Sequence, residues 1–124
     1  MSPATVAAVL VAGAIGALGR YGISLALAKR SGFPWAVLLV NVIGAAIGGT
    51  VFALTEAAAM STQWHLIVLT GIAGGLTTFS TWSVETIQLI RLDRWRAALL
   101  SMTANLVLGL AVAIGAFLVT GALV

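Results

Sequence analysis

Gly71-Ile72-Ala73-Gly74-Gly75-Leu76-Thr77-Thr78-Phe79-Ser80-Thr81-Trp82-Ser83-Val84-Glu85 is where this chain departs from a plain apolar pattern. The stretch sits between residues 66–70 and 86–90, inside a segment long enough to cross a lipid bilayer. Two adjacent glycines followed by Thr77 and Thr78 weaken a helix at mid-membrane depth. Backbone outside a regular helix survives there only when it is buried in protein or lines a wet cavity. Carbonyls freed at such a break are available to coordinate a cation, as in transporters with discontinuous helices. These residues predict an all-α membrane protein whose third helix is broken near its middle.

Working outward, the rest of the chain fits that solvent. Of its 124 residues 61% are hydrophobic and only 7% charged, whereas a soluble domain carries about 25% charged residues. Four segments reach the roughly 20 apolar residues that a spanning helix needs: about 3–28, 35–55, 66–90 and 97–123, in one four-helix domain over 1–124. The breakers fall between them. Lys29-Arg30-Ser31-Gly32-Phe33-Pro34 closes the first hairpin, residues 56–63 form the second loop, and Leu92-Asp93-Arg94 forms the third. Trp35, Trp64 and Trp95 fall at expected helix ends, as an interfacial aromatic belt requires; Trp82 lies well inside the third span. No basic residue precedes the first apolar run, so that run is expected to be a retained membrane helix and not a signal peptide.

The charges and the missing residue types remove several classes of function. There is no cysteine, which excludes thiolate metal sites and thiol nucleophiles, and the single histidine, His65, builds no metal cluster alone. Six bases face three acids without forming a basic stripe, so nucleic acid is not an expected partner and the lipid bilayer is. Lys29, Arg30, Arg91, Arg94 and Arg96 all fall on the side of the first and third loops, and the opposite loop has no base. The positive-inside rule then predicts both termini outside.

Small residues are spaced for close helix contact: Gly13, Gly16, Gly19 and Gly22 in the first span, Gly44 and Gly48 in the second, Gly71 and Gly75 in the third. Polar groups inside the membrane are costly and concentrate in few places: Arg20, Asn41, Asn105 and the run from Thr77 to Glu85. Phe79 and Trp82 are three residues apart and share a helix face. Aromatic ring edges are positive, Asn41 has two amide donors, and Arg20 carries a permanent charge. Ring edges, hydroxyls, an amide and one cation suit a small, strongly hydrated anion. Plainer roles compete: Arg20 can snorkel to the interface, Asn41 and Asn105 can be interhelical glue, hydroxyls can bond back to helix carbonyls, and Glu85 can be a charge at the headgroups.

The run GGLTTFSTWSVE, with Arg20-Tyr21 in the first span and Asn41 to Gly44 as NxxG in the second, resembles the Fluc (CrcB) fluoride channel family. The likeness extends over the whole chain in length, span count and motif order. It implies an antiparallel dimer with two fluoride pores at its interface and passive export of cytoplasmic fluoride, without enzyme activity. It further implies that Asn41, Phe79, Ser80, Thr81, Trp82 and Glu85 belong to the pore, with Arg20 in its vestibule. The backbone carbonyls of Gly74 and Thr77 fall where the family binds a structural sodium ion. Trp82 departs from the family's usual phenylalanine; an indole keeps a ring edge and adds an N–H donor in a larger frame. The one-sided basic loops also depart from the family's near balance, so the partner is either an identical copy or an oppositely oriented paralogue. A small multidrug-type proton-coupled exporter is the other short four-helix candidate, but such proteins need a membrane glutamate in the first span, where this chain has Arg20 and no acid.

Overall fold

Ser2 and Pro3 set the first helix. In the computed structural model, which describes residues 1–30 and 32–124, the Ser2 hydroxyl accepts the Thr5 N–H at 3.1 Å. Pro3 occupies the first turn, where its missing N–H costs nothing. Helix α1 runs Pro3–Ala26 and α2 runs Trp35–Glu56, directly after Pro34. Ser31, in the first expected loop, lies outside the described residues.

Helix α2 ends in a Schellman reversal. Ala59 N–H reaches the Leu54 carbonyl at 2.8 Å and Ala58 N–H the Thr55 carbonyl at 3.1 Å. Ala58 takes the left-handed conformation, φ 54°, that glycine usually supplies. The turn over residues 90–94 repeats the pattern with Asp93 at φ 58°.

The third span begins earlier than its hydropathy suggests. The Ser61 hydroxyl accepts the Trp64 N–H at 3.4 Å and starts α3, Thr62–His65. That helix continues without interruption as a π-helical segment, Leu66–Ala73, and a final turn, α4, Gly74–Leu76. The chain is extended at Thr77, φ −77° and ψ 159°, and resumes as α5, Ser80–Arg91. The break therefore falls just past the double glycine, and both glycines stay helical. Helix α6, Trp95–Leu123, completes four spans, all long and apolar enough to cross a membrane.

Glycine packing holds α1 against the first half of the third span. A Cβ on Gly16 would strike the Ile72 carbonyl oxygen and lie 2.9 Å from the Leu76 nitrogen; one on Gly75 would strike the Gly13 carbonyl. This explains why Gly75 stays helical: it is needed for close approach. Helix α2 packs on α6 in the same way, since a Cβ on Gly49 would meet the Ala113 carbonyl. Around these contacts Val37, Val40, Val51, Ala53 and Ala98 are buried.

The outer faces are apolar and open, including Leu10, Ile15 and Leu18 of α1 and Leu106, Leu110 and Leu118 of α6. Apolar residues on an unpacked surface of this size require lipid as solvent, so the chain is a multi-pass membrane protein. Trp35, Trp64 and Trp95 are all exposed at helix ends. Arg94 Nη2 donates to the Gly32 carbonyl at 2.6 Å, which brings the first and third loops together at the basic end of the bundle.

Candidate functional site at the helix break

A broken helix leaves backbone groups that need partners, and side chains from two other elements supply them. Asn41 of α2 makes a two-way pair with Thr78: its Oδ1 accepts the Thr78 N–H at 2.9 Å, and its Nδ2 donates to the Thr78 carbonyl at 3.2 Å. The same Nδ2 donates to Asn105 Oδ1 of α6 at 2.9 Å, and Asn105 Nδ2 donates to the Ser101 carbonyl at 2.8 Å. A backbone N–H at one end and a backbone carbonyl at the other fix which way both amides point. Arg20 of α1 reaches the break from the far side, Nη1 donating to the Thr77 carbonyl at 3.3 Å.

Thr78 restarts the helix. It is 7% exposed, and its hydroxyl accepts the Thr81 N–H at 3.1 Å, serving as the cap of α5. It also donates to Thr81 Oγ1 at 3.0 Å, which leaves the Thr81 proton free, and lies 3.4 Å from Ser80 Oγ. The other hydroxyls behave differently. Thr77, Ser83 and Thr86 bond back to the carbonyls of Ala73, Phe79 and Trp82 at 2.9, 2.9 and 2.7 Å. Back-bonding thus accounts for those three and not for Ser80 and Thr81, which stand exposed beside the break.

Two clefts flank the break. One, about 560 Å³, is lined by Arg20, Tyr21, Thr81, Glu85 and Gln88, with Arg30 and Arg94 among its charged residues. The other, about 460 Å³, holds Asn41, Gly74, Thr77, Phe79, Trp82 and Asn105 and, among the described residues, no charged side chain. Phe79 is 75% exposed in the single chain. Its ring meets Trp82 edge to face, centroids 5.5 Å apart and planes at 70°. Trp82 Nε1 and Glu85 Oε2 are buried without a hydrogen-bond partner among the described residues.

The structure thus brings Asn41, Phe79 and Trp82 to one cleft and Arg20, Thr81 and Glu85 to the other, with Thr77 and Thr78 between them. Gly74 is exposed, and its carbonyl is released from the helix because the Thr78 N–H turns to Asn41 instead. The Thr77 carbonyl faces Arg20. Sequence reasoning did not single out Thr78, whose backbone and hydroxyl are the hub of the network. It left Asn105 between glue and lining. The available signal was that Asn41 and Asn105 are the only two asparagines in the chain, each in a largely apolar span.

A four-span membrane bundle with a broken third helix, a hydrogen-bonded break and an exposed aromatic pair defines a class of small membrane proteins built around that break. Residues 7–117 match the family model described as CrcB-like protein, Camphor Resistance (CrcB). The chain is 36% identical over 119 residues to the fluoride-specific ion channel FluC of Saccharophagus degradans, covering 94% of this chain and 90% of that protein. It is 42% identical over 117 residues to the protein of the same name from Roseiflexus sp., covering 92% of each. With that of Renibacterium salmoninarum it shares 40% over 111 residues, 83% of this chain and 88% of the relative. The chain belongs to the CrcB family.

Proposed function

We propose that this chain is a fluoride-selective passive channel that lets cytoplasmic fluoride leave the cell. The observation that carries the reading is the edge-to-face Phe79–Trp82 pair, with Phe79 open to its surroundings, beside the exposed Ser80 and Thr81 hydroxyls at a mid-membrane helix break. Relatives named as fluoride-specific channels over nearly the whole chain support it. Arg20 draws anions toward the break. The Ser80 and Thr81 hydroxyls and the Asn41 amide cluster replace water, while the Phe79 and Trp82 ring edges face the dehydrated ion, and Glu85 lies in the cleft with Arg20, toward the basic end of the bundle. Larger halides are refused by width and by donor geometry suited to a small ion. The membrane potential supplies about 2.3 kcal/mol per charge per 100 mV, so neither ATP nor a proton is required.

Phe79, Ser80, Thr81 and Gly74 are exposed in the single chain, so a lone subunit offers one wall of a pathway. A second, antiparallel copy, or an oppositely oriented paralogue, would supply the other wall. Four packed helices enclose no lumen of their own. The structural sodium ion fits one of its two implied ligands well, since the Gly74 carbonyl is free at an exposed position. The Thr77 carbonyl already accepts from a guanidinium and has one lone pair left. Two carbonyls do not complete a cation's shell, and the same pair from a second copy would add two more.

Purified chain in liposomes, followed with a fluoride electrode, tests the reading. Fast fluoride efflux with negligible chloride efflux is expected, and Phe79→Ile should abolish it while leaving the fold intact. No fluoride efflux, either alone or with an oppositely oriented paralogue, would overturn the channel; undiminished flux in Phe79→Ile would remove that ring from the path.

A further inference from the structure

Two buried side-chain atoms of α5 lack a hydrogen-bond partner among the described residues, and they are complementary. Trp82 Nε1–H is a donor and Glu85 Oε2 an acceptor. Both are closed off from their surroundings, so each costs free energy until it is paired. Ser101 Oγ is the third such atom. A serine, however, can turn its hydroxyl to the carbonyl four residues back, as Ser83 and Thr86 do. An indole N–H and a carboxylate inside a helix have no such outlet on their own backbone.

The two residues are three apart on one helix, a spacing that puts their Cβ atoms about 5–6 Å apart. Helical side chains lean toward the N-terminus, so Glu85 leans over the turn that carries Trp82. Its three side-chain torsions give it the reach to close the remaining gap. Arg20 shares a cleft with Glu85 but is turned to the Thr77 carbonyl. We propose that Glu85 accepts the Trp82 indole N–H and is the positioning residue for that ring. The carboxylate lines the charged cleft and the indole the uncharged one, so the bond ties the two clefts together across α5. It holds in place the ring that Phe79 meets edge to face. A phenylalanine at position 82 would offer no atom to hold and would leave the Glu85 oxygen unpaired. The effect on conduction rests on the fluoride-channel reading; the bond itself does not.

Selective ¹⁵N-indole labelling gives four signals, one per tryptophan, and Trp82→Phe identifies that of Trp82 by removing it. Glu85→Met, of similar length without an acceptor, should move the Trp82 indole proton upfield. Glu85→Gln, whose amide oxygen still accepts, should leave it near its wild-type position, and so should Ser101→Ala. The signals of Trp35, Trp64 and Trp95, exposed at helix ends, should stay in place throughout and report that the fold is intact. In liposomes the rate of fluoride efflux in the double variant Glu85→Met with Trp82→Phe should differ from the product of the two single effects by about tenfold, the scale of one hydrogen bond to a charged group. A Trp82 signal that ignores Glu85→Met, or that moves with Ser101→Ala instead, would overturn the pairing with the channel reading intact. Single effects on efflux that simply multiply would overturn the positioning role. A wild-type chain that passes no fluoride, while its Trp82 signal still follows Glu85, would overturn the channel and leave the pair.

Discussion

Replacing Asn41 by leucine tests whether the break is held from α2. The side chain keeps a similar volume and loses every polar atom. Two donations disappear, to the Thr78 carbonyl and to Asn105 Oδ1, each worth about 0.6 kcal/mol between membrane helices. The larger effect is on the Thr78 N–H, which Asn41 Oδ1 now accepts at 2.9 Å. Thr78 is buried, and the helical acceptor four residues back is out of register at the break. An orphaned buried N–H costs about 1–3 kcal/mol. Together the loss is about 3 kcal/mol, or roughly 150-fold in the unfolding equilibrium. Reversible unfolding in mixed micelles, read by tryptophan fluorescence, measures it, and hydrogen exchange at the Thr78 amide localises it. A change below about 0.5 kcal/mol with an equally protected Thr78 amide would refute the clamp, because lost bonds of this kind cannot be that cheap without another acceptor.

Three further substitutions probe the scaffold. Ala58→Gly should stabilise the chain by about 1 kcal/mol in the same unfolding assay, because Ala58 sits at φ 54° in a Schellman turn where a Cβ is strained; a loss of stability would show that its methyl packs usefully. Gly75→Ala should destabilise by about 1–3 kcal/mol, since its Cβ would enter the Gly13 carbonyl. Gly109→Ala, where a Cβ meets nothing within 4 Å, should be neutral or gain about 0.5–1 kcal/mol of helix stability. Equal effects of the two alanines would mean that α1 and the third span do not pack as closely as described.

Much of the architecture was legible in sequence because it depends on local quantities. Apolar run length set the number of spans, tryptophans and basic clusters marked their ends, and the run from Gly71 to Glu85 announced a break. Those features follow from transfer of side chains and backbone into lipid, which each segment experiences on its own. Where the break falls was not local. Gly74 and Gly75 have the weakest helix propensity in the stretch, yet they remain helical because Gly75 lies against Gly13. The chain opens at Thr77 and Thr78 because Arg20 and Asn41, 57 and 37 residues away, supply the hydrogen bonds that the helix gives up. Sequence spacing likewise placed Phe79 near Trp82 but could not sort the hydroxyls into those bonded back to their own helix and those left facing the break. Nor could it show that Asn41 spends both its donors inside the chain. Composition and periodicity determined which groups this protein would have to bury in a membrane. Only the tertiary structure decided which of them would satisfy one another, because hydrogen bonds between distant helices depend on how the helices pack and not on the order of residues along any one of them.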